Sequence, residues 1–133
     1  MRIAVDVMGG DNAPCEMVAG AVEWVNDNDS QVLLVGDQKL ITGELRKYSY
    51  DSTKLQIVSA AEVIKMEEPP VTAIRKKKDA SIVVANNLVK REYADALVSC
   101  GSTGAQLAAA IFILGRIEGV ERPPIVAAIP NAA

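Results

Sequence analysis

The chain contains no histidine. That absence removes every Ser-His or Cys-His nucleophile pair and every His-ligated zinc site from the chemistry open to it. Cysteine is scarce as well. Cys15 and Cys100 are the two, at no metal-binding or redox spacing, which points to a reducing, cytoplasmic setting. Positive charge is not in excess, since the formal net charge is −3, so nucleic acid is not expected as a partner. No apolar run is long enough to span a bilayer, and the N-terminus lacks the basic-then-apolar plan of a signal peptide. No cofactor or metal is indicated. Chemistry here has to come from carboxylates, lysines, backbone donors or the substrate's own groups.

What the chain does have is enough apolar sequence for a core: 133 residues, half of them hydrophobic. A chain of this size buries roughly two-thirds of its unfolded surface, so one α/β domain over residues 1–133 is expected. Arg2–Val7, Gln31–Val35, Leu55–Val58 and Ala94–Ser99 read as short buried strands. Met17, Val18, Ala21, Val22 and Val25 share one helical face after the first strand. Leu40, Ile41 and Leu45 predict a second helix, weakened by Gly43. Val71–Lys77 predicts a short third, and Ser81–Glu92 a fourth that Asp79 or Ser81 can cap. Strand-then-helix units in succession imply parallel strands joined by right-handed crossovers. Ile125–Ile129 reads as a fifth strand with no helix to cover it, which leads us to expect a longer chain or a pairing partner. The single Trp24 and Phe112 are assigned to the core or to a subunit contact.

Two loops carry the candidate chemistry. Ser99-Cys100-Gly101-Ser102-Thr103-Gly104-Ala105 joins the fourth strand to an Ala- and Ile-rich helix running to Leu114. Backbone donors at such a helix start, with the positive end of its dipole, suit an anion. Ser99, Ser102 and Thr103 add hydroxyls, and Gly101 and Gly104 permit close backbone approach, so this loop is the candidate phosphate cradle. The plainer alternative is that Ser102 or Thr103 only caps the helix. The loop fits neither the Walker pattern nor the dinucleotide fingerprint. Met8-Gly9-Gly10-Asp11-Asn12-Ala13-Pro14 follows the first strand and should open on the same sheet edge, where Asp6 and Asp11 face a ligand or, alternatively, Asp11 and Asn12 cap the first helix. Arg75-Lys76-Lys77-Lys78 reads as a solvated face, or as a source of cations for an anionic substrate. At most a pair such as Arg75 and Lys78 shares a side of a helix. Cys100 reads as a small buried residue in preference to a thiolate nucleophile.

Three segments taken together, Ile3–Pro14, Pro70–Ile82 and Ala94–Ala105, resemble the N-terminal part of the PlsX family of acyl-ACP:phosphate acyltransferases, as does Leu114–Pro123. Serine stands at position 102 where that family usually has asparagine, and Cys100 where it usually has alanine. This chain is also less than half the family's length. The resemblance implies a three-layer α/β/α fold with a mostly parallel sheet, like that of isocitrate and isopropylmalate dehydrogenases and of phosphotransacetylases. It implies conversion of acyl-ACP and inorganic phosphate to acyl phosphate and free carrier protein, in phospholipid synthesis. Asp6, Asp11, Lys78 and Asp79 would line the cleft, and Ser99, Gly101, Ser102, Thr103 and Gly104 would hold phosphate. Acyl carrier protein would be the partner, and the longer protein a cytoplasmic homodimer with peripheral membrane contact. The alternatives are acyl transfer with coenzyme A, a nicotinamide-dependent dehydrogenase, and a non-catalytic phosphate-binding module.

Overall fold

Apolar runs four to six residues long become the strands β1 (Arg2–Asp6), β2 (Gln31–Gly36), β3 (Leu55–Ser59) and β4 (Ala96–Ser99). In the computed structural model, which describes residues 1–126, they pair in the order β3-β2-β1-β4, every ladder parallel. The helices are α1 (Cys15–Asp27), α2 (Gln38–Leu45), α3 (Pro70–Lys76), α4 (Ser81–Lys90) and α5 (Thr103–Ala109), with α5 running on into a π-helical turn at Ala110–Leu114.

Alternation along β1 divides the core. Val5 and Val7 face α1 and α2, packing with Val18, Val22, Val25, Leu34 and Ile41. Ala4 faces the other way, with Leu33, Val35, Ala85 and Leu97 under α4. A third cluster, Ile74, Ile82, Val83, Ala105 and Ala109, joins α3, α4 and α5. β2 is buried on both faces from Val32 to Gly36, as an inner strand of a parallel sheet must be. The result is the expected three-layer α/β/α arrangement.

Several local expectations are corrected. α1 has no side-chain cap, because Pro14 and not Asp11 or Asn12 occupies the cap position. Neither Asp79 nor Ser81 caps α4; Ala80 stands there, and the Asp79 carboxylate instead accepts from the Ala61 amide at 2.9 Å. The expected second helix is present as α2 with Gly43 inside it, its start capped by Asp37 through the Lys39 and Leu40 amides. Trp24 and Phe112 are not core residues, at 43% and 51% exposure. Cys100 is exposed, not buried. The proposed fifth strand lies largely outside the described residues, and Ile125 and Val126 are exposed and in no strand.

One ionic contact ties the sheet's beginning to its last strand. The Asp95 carboxylate accepts from the Arg2 amide at 2.7 Å and lies 3.6 Å from the guanidinium, while the Asp95 amide donates to the Arg2 carbonyl. The Arg2 amide first, and the guanidinium charge after it, hold the Asp95 pKa below its ordinary 3.8. A depressed carboxylate pKa adds stability above the unfolded value and loses it as pH falls through the folded one. Asp95→Asn is therefore expected to flatten the loss of stability below pH 3.8, read as urea midpoints across an acid series. Leu34→Ala, at a fully buried position of β2, should cost about 2–5 kcal/mol in the same assay.

Candidate functional site

The chain leaves β1 towards β2 on one side and returns through β4 on the other. The loops after β1 and β4 diverge to opposite faces, α1 on one and α5 on the other. In open α/β sheets such a switch point, at the carboxyl ends of the strands, is where a ligand crevice forms. Both candidate loops lie there.

Strand register builds the floor of this crevice. Asp6 pairs with Ser99 across the β1–β4 ladder, so the two side chains emerge side by side on the α4 face. Ser99 Oγ donates to Asp6 Oδ2 at 2.8 Å, and the Gly101 amide donates to Ser99 Oγ at 3.2 Å. The other carboxylate oxygen accepts from the Met8 amide at 3.3 Å. Asp6, 2% exposed, thus holds both loops. The Ser99 hydroxyl proton is committed to Asp6, which makes the pair a brace inside the protein and leaves ligand contact to the groups above it.

Glycines let the loops close on this brace. A Cβ on Gly9 would lie 2.8 Å from both Asp6 Oδ2 and the Gly101 nitrogen. Gly10, at φ +104°, rests against the Cys100 carbonyl. The space left among Asp6, Gly9, Ile64, Ser81, Gly101 and Ser102 is about 10 Å³, room for about one water. A phosphate does not fit inside it.

On that outer side stand Thr103 and Gly104, both exposed, whose amides have no acceptor among the described residues. Ser102 Oγ accepts from the Ala105 amide at 3.3 Å, so Ser102 does cap α5. Gly104 meets a packing need, because a Cβ there would come within 2.9 Å of Pro70 Cγ. Buried Asn86 donates to the Ile82 carbonyl at 2.7 Å and to Gln106 Oε1 at 3.5 Å, steadying α5 against α4. Asp11 is exposed on the facing loop.

The remaining candidates lie elsewhere. Asp79 is engaged with the loop after β3, as described above. Lys78 Nζ lies 3.4 Å from the Ile74 carbonyl and lines a separate groove with Arg75, Lys90 and Phe112. Lys77 points to the far side, donating to Glu68 Oε1 at 2.6 Å and to the Val63 carbonyl. The Lys65 amide and then the Lys77 ammonium hold the Glu68 pKa below its usual value. Ser81, 2% exposed, lines the small cavity and was read from sequence only as a cap. Its signal would have been the parallel bridge of Glu62 to Ala80, which no local pattern discloses. Among the described residues no three His, Cys, Asp or Glu side chains converge as a metal site, and no helix is long and apolar enough to cross a membrane.

Fold and crevice together define an α/β protein with a candidate ligand site at the switch point of a parallel sheet, lined by backbone amides and hydroxyls. Comparison with known proteins narrows the class. Residues 1–133 match the family described as fatty acid synthesis protein, and the chain belongs to that family. It is 67% identical to a phosphate acyltransferase of Syntrophomonas wolfei, over 98% of this chain and 41% of that protein. It is 55% identical to the phosphate acyltransferase of Heliobacterium modesticaldum and 49% identical to that of Clostridioides difficile, over 98% of this chain and 39% and 38% of those proteins. The chain thus spans about two-fifths of the length of the relatives it matches.

The same substitution should have opposite signs at two glycines. Gly9→Ala forces a methyl between Asp6 and Gly101 and should cost about 1–3 kcal/mol, as overpacking does. Gly43→Ala meets nothing within 4 Å in the middle of α2 and should gain roughly 0.5–1 kcal/mol. Urea denaturation of both variants checks the pair.

Proposed function

We propose that the chain is the N-terminal, phosphate-binding portion of a longer acyltransferase, which converts acyl-ACP and inorganic phosphate to acyl phosphate and free carrier protein. The observation that carries this reading is the 67% identity, over nearly the whole chain, to a protein named phosphate acyltransferase. The crevice agrees with it. Free amides at Thr103 and Gly104, at the positive end of α5, favour an anion, and the Asp6–Ser99 brace fixes the loop that presents them.

The reaction asks little of proton chemistry. Inorganic phosphate is already ionised near neutral pH, so a histidine-free site can use it as the nucleophile. A phosphate oxygen attacks the thioester carbonyl carbon, the carbonyl oxygen takes up negative charge, and collapse breaks the C–S bond and expels the carrier thiolate. What the protein has to supply is position and stabilisation of charge. In this reading Ser102, Thr103 and Gly104 hold phosphate from one side and Asp11 orients it by hydrogen bonding from the other. Ser99, Gly101 and Asp6 keep the two sides in register.

The longer protein carrying this chain, given long-chain acyl-ACP and phosphate, should release acyl phosphate that hydroxylamine traps as a hydroxamate. Absence of any phosphate-dependent product from folded protein would sink the reading. Preference for acyl-CoA over acyl-ACP would move the assignment to coenzyme A chemistry. A phosphate-dependent rise in melting temperature with no product from any thioester would make the chain a binding module only.

A further inference from the structure

The basic run at the end of α3 is divided by the fold, and its outward half builds a second concave feature. Arg75, Lys78 and Lys90 line a groove of about 390 Å³ between α3, α4 and the π-helical turn, over a floor that includes Ile74 and Val83. The Arg75 guanidinium lies 5.3 Å from the centre of the half-exposed Phe112 ring. No carboxylate lines the groove, and none of these three cations belongs to an ion pair among the described residues. This occurs in a chain where 17 acidic side chains outnumber 14 basic ones.

Helix capping explains only part of the arrangement. Lys90 Nζ donates to the Ile113 carbonyl, and Lys78 Nζ lies near the Ile74 carbonyl, both near helix ends where cations are favoured. Each ammonium retains further donors, and the Arg75 guanidinium makes none of the described hydrogen bonds. Like charges around one concavity repel, a cost that an anionic occupant removes. Shape selects the kind of occupant. A lipid surface meets convex, protruding elements, whereas a groove with a basic rim and an apolar floor takes an acidic protein segment that inserts an apolar side chain. The groove also shares an element with the crevice. Ala105 lines the cavity at Asp6 and Phe112 lines the groove, seven positions along one helical rod, hence about 10 Å apart.

We propose that the Arg75–Lys78–Lys90 groove docks an acidic surface of the carrier protein that delivers the acyl thioester. The inference rests on the function proposed above, and the test separates the two. Fluorescently labelled acyl carrier protein is titrated into the full chain and followed by anisotropy. Binding should weaken as salt is raised, and Arg75→Glu/Lys78→Glu/Lys90→Glu should weaken it by at least about tenfold. Lys76→Glu, on the same helix but outside the groove, should leave it within about twofold. If the triple variant melts early, Arg75→Glu alone should still weaken binding by about threefold, since Arg75 supports no helix end. Undiminished binding by these variants overturns the proposal, as does binding to phosphatidylglycerol vesicles with no response to carrier protein. In the longer protein Arg75→Glu/Lys90→Glu should raise KM for acyl-ACP and leave turnover of a carrier-free acyl-pantetheine thioester unchanged. Loss of both equally overturns docking. If no thioester yields acyl phosphate, the proposed function fails while the titration still decides whether the groove binds the carrier.

Discussion

The hydrogen bond from Ser99 to Asp6 is the contact on which the site depends. It exists because a parallel ladder places residues 6 and 99 in register, and because both fall on the same phase of strand alternation. A buried carboxylate needs donors, and this one draws them from the hydroxyl of one loop and an amide of the other. Remove the register and neither loop has a fixed partner. Satisfying a single buried charge thus fixes the distance between two chain segments that sequence alone leaves independent.

Periodicity made most of the fold legible. Continuous apolar runs at Arg2–Val7 and Gln31–Val35 announced strands, buried on both faces in β2 and only partly buried at Ile3 and Val5 of β1, and the apolar spacing from Met17 to Val25 announced the helix between them. Position within the site was harder to read. Ser99 offered a hydroxyl to any reader, but its commitment to Asp6 follows from strand pairing across 93 positions, which no local window contains. The same holds for Ser81, Gly104 and Lys78. Each was interpretable as a cap, a turn or a cleft cation. Each acquired a different neighbour, the small cavity, Pro70 and Phe112's groove respectively, once α3 packed against α5. Capping expectations at α1 and α4 failed for a related reason. Backbone carbonyls of Asn12 and Pro14 take the Glu16 and Val18 amides of α1, and the Asp79 carboxylate accepts from the Ala61 amide.

Charge at the end of α3 shows how a helix and its exit turn sort a run that sequence presents as uniform. Lys77 turns inward to Glu68 and staples the loop after β3, while Arg75 and Lys78 turn outward. One tetrapeptide therefore serves two faces. The inward contact fixes the segment carrying Val63 and Ile64, which walls the small cavity; the outward pair stays available to solvent.

The 93-residue interval between Asp6 and Ser99 also bears on how the molecule comes into being. β1 is made before the other described strands and occupies an inner position in the sheet, yet its β4 neighbour emerges long after it. Closing so long a loop is entropically costly before its contacts reward it, and parallel pairings of this kind fold slowly. Through that interval the β4-facing edge of β1 is unpaired, and Asp6 lacks the hydroxyl that later meets it. The crevice cannot assemble piecemeal from a partly made sheet. Its completion waits for the last described strand, so a chain with a formed site is one whose β1–β4 ladder is already paired.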